Sequence, residues 1–261
     1  MRPQASFKYT NPPINEIVCG VFFEPLQELK AAHFGLLWEE FRPDFPFSED
    51  HNLVAPVPQT DFENPDKLPL PRVWFIHKAD SEIIQVQRNR FIHNWRKRGI
   101  DNKYPGYEKV ISNLEEYFSR FEKFLSKEKI GAIVPKRYEL TYINHILRGE
   151  GWETFDDLPK LFPDIFSSIS RIPFFDNIRG LNWVTGIGLP DDSGEMRLSI
   201  RTAQQAADNR ELISIEFHAL SNSPYKPMRG WFNSTHGYIV RLFSDLVSVE
   251  TQDKFWGQHT C

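Results

Sequence analysis

The stretch YEKVISNLEEYFSRFEKFL, residues 107–125, carries the clearest structural signal in the chain. Its apolar positions recur at spacings of three and four, the pattern of a helix that buries one face. These positions are Val110, Ile111, Leu114, Tyr117, Phe118, Phe121 and Leu125. The pattern predicts an amphipathic helix that begins at Tyr107 and ends near Gly131.

The residues before this helix predict three strands and a second helix. Arg72–His77 and Glu82–Ile92 are rich in β-branched and aromatic residues, and residues 78–81 between them suit a hairpin turn. Ile14–Phe23 has the same strand composition, and Leu26–Phe41 has helical spacing. The first half therefore has the order strand, helix, strand, strand, helix, which we call a βαββα unit.

Residues 42–71 differ in composition from both neighbouring segments. They contain seven prolines and many acidic residues. Because proline fixes one backbone angle and cannot donate a main-chain hydrogen bond, this composition predicts a long loop without regular structure.

The second half repeats the pattern of the first. Strands are predicted at Tyr138–Leu147, Met196–Ala203 and Leu212–Leu220, an extra strand at Asn182–Leu189, and helices at Phe155–Ile169 and Trp231–Val249. The recurrence indicates a tandem duplication with repeats at 1–135 and 136–261. The predicted fold class is α+β, with the two βαββα units forming a curved antiparallel sheet that has helices on one face, in one compact pseudo-symmetric domain.

Composition and charge exclude several function classes. A formal net charge of −4 gives no general attraction to nucleic acid or to an anionic membrane, so such binding would need a local patch. Cys19 and Cys261 are too few for a disulfide framework. The residues after Met1 open no apolar leader, and no apolar run is long enough to span a bilayer. We expect a cytoplasmic protein that does not contact membranes.

The segment Glu82–Arg96 is the most unusual in polarity. If it were one continuous strand, Gln85 and Gln87 would lie on one face, and Arg88 and Arg90 on the other. Side-chain amides can bind a partner's backbone, and arginines can bind phosphate or carboxylate groups. The candidate binding residues are Gln85, Gln87, Arg88, Arg90, Asn94, Trp95 and Arg96. The alternative is a solvent-facing strand followed by a charged loop.

No motif for a known chemistry is present. The histidines lack His-x3-His and His-Glu-x-x-His spacing, and no Cys-x2-Cys pair exists. Phosphate-binding glycine loops, a Gly-x-Ser-x-Gly elbow and kinase signatures are also missing. We therefore expect no metal, no cofactor and no catalytic residues.

An ordered set of short motifs resembles a family of sporadically distributed, uncharacterised bacterial proteins of about this length. The motifs are Asn11-Pro12-Pro13-Ile14 with Glu16, His33-Phe34-Gly35-Leu36-Leu37-Trp38, Arg72-Val73-Trp74-Phe75, Gln85-Val86-Gln87, Arg90-Phe91, Asn94-Trp95-Arg96, Tyr104-Pro105-Gly106-Tyr107 and Glu139-Leu140-Thr141-Tyr142-Ile143-Asn144. They cover the first 145 residues or so, and the second half matches only in general pattern. The patchy distribution of this family is similar to that of phage-defence components and toxin–antitoxin pairs. The resemblance implies a protein that binds another macromolecule.

Three functions stay open at this point. The first is a non-enzymatic protein-binding module, an antitoxin-like or regulatory component of a bacterial defence or toxin–antitoxin system. The second is a nucleic-acid-binding or nucleic-acid-processing protein that uses the basic patch Arg88–Lys103. The third is a small-ligand-binding protein with a cavity between sheet and helices. The sequence leaves the oligomeric state open.

Overall fold

A computed structural model describes residues 7–54, 70–99, 102–166, 179–205, 208–224 and 227–260. All the candidate binding residues lie within these ranges. Half of the proline-rich loop, residues 55–69, lies outside them, as do residues 167–169 of a predicted helix and residues 100–101 of the predicted basic patch.

The described residues form eleven strands and three helices of eight or more residues. The strands are β1 (Phe7–Tyr9), β2 (Ile14–Phe23), β3 (Phe47–His51), β4 (Arg72–Ile76), β5 (Glu82–Gln87), β6 (Arg90–Arg96), β7 (Pro135–Leu147), β8 (Asn182–Gly188), β9 (Gly194–Gln204), β10 (Glu211–Ser221) and β11 (Gln258–Thr260). The helices are α1 (Ala31–Phe41), α2 (Tyr107–Lys127) and α3 (Met228–Leu246). Shorter helical turns occupy Phe155–Asp157, Leu158–Leu161, Pro163–Phe166, Pro190–Asp192, Val249–Thr251 and Gln252–Trp256.

Nine of these strands form one antiparallel sheet in the order β3-β4-β5-β6-β2-β7-β10-β9-β8, and β1 pairs with β11 in a separate sheet. The register between β2 and β6 places Ile17 opposite Trp95 and Cys19 opposite His93. Strands and helices are both abundant, so the prediction of an α+β protein built on an antiparallel sheet is confirmed.

Helix α2 begins at the predicted Tyr107, and it ends at Lys127, four residues before the predicted end near Gly131. Gly106, with a φ of 93°, precedes the first turn, and Glu108 and Lys127 lie at the ends where their charges oppose the helix dipole. The buried face carries Ile111, Leu114 and eight further residues, and these pack in the core.

Four predictions from the sequence require correction. The proline-rich loop contains a strand, β3, because Phe47–His51 pairs with β4 along its whole length. The predicted strand Glu82–Ile92 is two strands, and the second of them extends through the expected charged loop to Arg96. Helix α1 begins at Ala31 rather than Leu26, because the backbone of Lys30 is extended and separates residues 26–29 from the helix. The predicted helix Phe155–Ile169 consists of short separate turns in its described part.

The chain divides into two compact units. One contains residues 16–140 and 220–229, and its core is aromatic, with Phe41 stacked on Phe75 and Phe91 stacked on Phe121. The other contains residues 1–15, 141–219 and 230–261. In its core the Phe217 ring contacts the Phe243 ring, and the Phe243 ring also contacts the Trp256 ring. In the described residues, no helix is both long and apolar enough to cross a membrane.

Candidate functional site

A two-residue turn determines where the candidate binding residues lie. Strands β5 and β6 form a hairpin whose turn is Arg88-Asn89, so Gln87 lies directly opposite Arg90. Directly opposed residues in an antiparallel pair point to the same face. Arg90 therefore shares a face with Gln85 and Gln87, and its predicted placement on the other face is wrong.

Contacts from β2 and the residues after it hold this turn in place. The Asn89 carbonyl accepts a hydrogen bond from the Phe23 N–H, and the Arg88 carbonyl accepts one from the Leu26 N–H, both at 3.0 Å. Neither turn residue is glycine or has a positive φ. The turn is thus stabilised by residues distant in sequence rather than by its own conformational preference.

A polar relay crosses four neighbouring strands on this face, and we define it as Arg72, Gln85, Asn94 and Glu16. Arg72 Nη1 donates to Gln85 Oε1 at 2.9 Å, Gln85 Nε2 donates to Asn94 Oδ1 at 2.7 Å, and Asn94 Nδ2 donates to Glu16 Oε1 at 2.6 Å. Each amide accepts from its cationic side and donates toward the carboxylate. The relay therefore connects opposite charges through two amides whose orientation is fixed.

Burial changes the ionisation of the two charged ends of the relay. Gln85 and Asn94 between them are only 5% and 4% exposed. Burial raises the pKa of Glu16, although the hydrogen bond from Asn94 and the charge of Arg96 act against it. Burial also lowers the pKa of Arg72. The buried amides of Gln85 and Asn94 depend on their hydrogen-bond partners, because a buried polar group without a partner is costly.

Arg90 is the largest fully buried side chain in the described residues, and it lies beside the relay. Its guanidinium lies 4.1 Å from the ring centroid of Phe22. Burial lowers the pKa of Arg90 to about 10, the nearby charge of Glu139 opposes this effect, and Arg72 adds to it. Gly20 makes room for Glu139, since a Cβ at this position would lie 3.0 Å from a Glu139 carboxylate oxygen. Arg90 thus remains a cation at neutral pH within the sheet face.

Gln87 binds the main chain of the segment that follows β3. Its Oε1 accepts a hydrogen bond from the Val54 N–H at 3.1 Å, and its Nε2 lies 3.5 Å from the Val54 carbonyl oxygen. The same Nε2 donates to Asn89 Oδ1 at 2.8 Å. One side-chain amide therefore contacts both backbone polar groups of a single residue, and Gln87 is only 2% exposed as a result.

The remaining candidate residues do not join this cluster. Trp95 lies opposite Ile17, and its ring centroid is 5.3 Å from that of Tyr104. Alternation along β6 places the Trp95 side chain on the opposite face from Asn94. Of the seven candidates, the structure thus brings together Gln85, Gln87, Arg90 and Asn94, while Arg88 lies in the turn.

The predicted basic patch is partly neutralised by an acidic residue. Arg96 forms an ion pair with Asp80, and Arg98 Nε lies 2.9 Å from the second oxygen of the same carboxylate. Arg88 and Arg90 are buried, at 6% and 2% exposure. The described part of the patch therefore presents much less free positive charge than the sequence indicates.

A second polar cluster, on the helix-covered face, could not be recognised from the sequence. Glu82 Oε2 lies 2.8 Å from His93 Nε2 and accepts a hydrogen bond from Asn113 Nδ2 at 2.8 Å. Burial would raise the pKa of Glu82, but the contacts with His93 and Asn113 outweigh it and lower that pKa. Alternation along β5 shows which face Glu82 lies on, but it does not show that His93 and Asn113 meet it there.

Metal-ligating side chains and a surface cleft are two further features of the described residues that bear on a site. No group of three or more His, Cys, Asp or Glu side chains in the described ranges is arranged to hold a metal ion. A cleft of about 440 Å³ lies at the end of α2, lined by Glu122, Leu125, Ser126, Lys129, Gly131, Ala132 and Ile133.

No protein-family model matches the chain, and no curated protein matches its sequence.

Proposed function

We propose that this protein is a non-enzymatic protein-binding module, an antitoxin-like or regulatory component of a bacterial defence or toxin–antitoxin system. The family resemblance supports the assignment to such systems. The side-chain chemistry of β5 and β6 supports binding to the backbone of another protein.

The observation that carries this proposal is the contact between Gln87 and Val54. A side-chain amide that contacts both the N–H and the C=O of one residue is well suited to hold an extended peptide segment. In the free chain this segment is intramolecular. We propose that an extended segment of the partner binds the Gln87 amide in place of Val54, beside Arg90.

The relay suits a binding surface because it is rigid. Gln85 and Asn94 have their amides fixed by hydrogen bonds on both sides. Strands β5 and β6, which carry Gln87 and Arg90, are therefore held in a fixed arrangement before a partner binds, and this reduces the entropic cost of association.

We also propose that the fold arose by tandem duplication of a unit with one more strand than predicted. The order β2, α1, β4, β5, β6, α2 in the first half parallels β7, short helical turns, β8, β9, β10, α3 in the second. In each half the first strand belongs to the same sheet as three consecutive later strands, and a long helix follows. The strand β3 would then be an insertion in the first half.

The proposed function can be tested by affinity purification from the native host. Three tagged chains would be compared: the wild type, Gln87→Ala and the control Gln204→Ala, in which the altered residue is exposed on β9. We expect a stoichiometric protein partner with the wild type and the control, and at least a tenfold weaker affinity with Gln87→Ala. Circular dichroism would show that Gln87→Ala remains folded.

Two results would contradict this proposal. If no protein is retained, or if Gln87→Ala retains the partner as well as Gln204→Ala does, the Gln87 amide is not the binding site. If nucleic acid is retained and its affinity falls steeply with salt, the alternative of a nucleic-acid-binding protein is favoured.

A further inference from the structure

Strand β8 is an unprotected edge of the nine-stranded sheet. Within the described residues it pairs only with β9, and none of its seven residues is buried. Its sequence NWVTGIG contains no charged residue and no proline, and Val184 is 53% exposed. Natural proteins usually protect such an edge with charge, proline or a bulge, because its free main-chain groups can pair with another strand.

The ladder between β8 and β9 shows which main-chain groups point outward. The Thr202 N–H donates to the Leu181 carbonyl, and the Leu189 N–H donates to the Gly194 carbonyl. In an antiparallel ladder the bonded residues alternate, so odd-numbered residues of β8 bond to β9. The N–H and C=O groups of residues 182, 184, 186 and 188 therefore point away from the sheet.

We propose that two copies of this chain associate through β8, pairing antiparallel about a two-fold axis at Thr185. In this register Val184 lies opposite the partner's Gly186, and Asn182 lies opposite the partner's Gly188. These are even-numbered residues, so their outward main-chain groups form the hydrogen-bonded pairs of the new ladder. Each larger side chain meets a glycine, which avoids crowding where the strands join.

The odd-numbered residues of β8 form the non-hydrogen-bonded pairs, in which side chains approach most closely. Trp183 lies opposite the partner's Ile187, an aromatic and β-branched pair of the kind that stabilises antiparallel sheets. Thr185 lies opposite itself across the axis, another favourable cross-strand pair. The strand is thus complementary to its own copy in this single register.

The charges next to β8 also favour a second copy as the occupant. Glu195 lies opposite Gly188, and Arg201 lies opposite Asn182. Since Gly188 would face the partner's Asn182, exposed Glu195 and the partner's Arg201 would lie in one row across the junction. Two such rows of opposite charge result from the symmetry. A two-fold interface uses the same surface of both copies, and β8 with its neighbouring charges is complementary to itself in this way. This proposal does not depend on the proposed function.

Sedimentation velocity of the full chain across the micromolar range tests the proposal. We expect the wild type to be a dimer, and Thr185→Lys and Thr185→Glu to be monomers when measured separately, because each places like charges together on the axis. An equimolar mixture of these two variants is expected to restore the dimer, since only the residue on the axis meets itself. A control at the opposite edge, Ser48→Lys on exposed β3, should remain a dimer.

A second variant guards against misfolding. Val184→Pro removes an outward N–H and spares the ladder with β9, so it should yield a monomer with an unchanged circular dichroism spectrum. A monomeric wild type, a dimeric Val184→Pro variant, or a mixture of the two charged variants that stays monomeric would overturn the proposal.

Discussion

Strand β6 buries polar side chains, whereas strand β8 exposes an apolar one. On β6, Arg90 and Asn94 are 2% and 4% exposed, although both side chains are polar. On β8, Val184 is apolar and 53% exposed. Strand β6 lies between β5 and β2, whereas β8 is the last strand of its sheet.

The difference teaches that a strand's position in the sheet determines burial in this protein more than its composition does. Interior strands here bury polar side chains because neighbouring strands supply hydrogen-bond partners, as Gln85 and Glu16 do for Asn94. Among the described residues the edge strand β8 has a neighbour on one side only, and its Val184 side chain remains exposed. Substitutions matched between interior and edge test this comparison.

The largest loss of stability is expected for the replacement of Arg90. Arg90→Ala removes the contact with the Phe22 ring and leaves the Glu139 carboxylate without its cationic neighbour. We expect the free energy of unfolding to fall by about 3–5 kcal/mol. Arg201→Ala, at an exposed position on β9 next to the edge strand β8, should change it by less than about 0.5 kcal/mol. Urea unfolding followed by tryptophan fluorescence measures both, and equal losses would contradict the comparison.

A smaller loss of stability is expected for the replacement of Asn94. Asn94→Ala leaves the Glu16 and Gln85 side chains without their shared partner in the relay. The expected loss is about 2–3 kcal/mol, whereas Asn182→Ala at the exposed start of β8 should cost less than about 0.5 kcal/mol. The same urea titration gives both values. A loss below about 1 kcal/mol for Asn94→Ala would mean that water replaces the missing amide.

The smallest effect concerns pH and a polar pair in the other unit. His236 Nδ1 lies 2.7 Å from the Tyr142 hydroxyl, and burial lowers the pKa of His236 from 6.5 to about 4. Between these values the unfolded chain binds a proton that the folded chain does not, so stability falls as the pH decreases. Because His236 is partly exposed, we expect a loss of about 1–2 kcal/mol.

Denaturation midpoints between pH 7 and pH 4 check this expectation. His236→Gln should flatten the decrease, whereas the control Gln204→Ala, which alters no titratable group, should leave it unchanged. An unaltered pH profile in His236→Gln would show that another group causes the decrease.

The spacing of apolar residues was sufficient to predict helices and strands that form from a local pattern. Strand β2 follows its predicted bounds and helix α2 begins at its predicted residue, because the apolar residues alternate or repeat without interruption. The β5–β6 turn could not be predicted, because Arg88-Asn89 has no glycine and is held by Phe23 and Leu26. Strand β3 was missed for a related reason, since the acidic run after Phe47 becomes a strand only by pairing with β4.

The candidate site was predicted in part. The sequence grouped polar residues of β5 and β6, and four of them lie on one face of the sheet, but it did not connect Glu16, Arg72 and Glu139 with them. These partners come from other strands far away in sequence, and no local pattern indicates which strands will be neighbours.

The turn at Arg88-Asn89 also has a consequence for how the chain folds. The turn carbonyls accept hydrogen bonds from the Phe23 and Leu26 N–H groups. The β5–β6 hairpin is therefore less stable before β2 and Leu26 have packed against it. Its closure depends on contacts across more than sixty positions of sequence, which slows folding relative to a self-sufficient hairpin. On the ribosome this order is favourable, since β2 is synthesised first and is available as a template when β5 and β6 emerge.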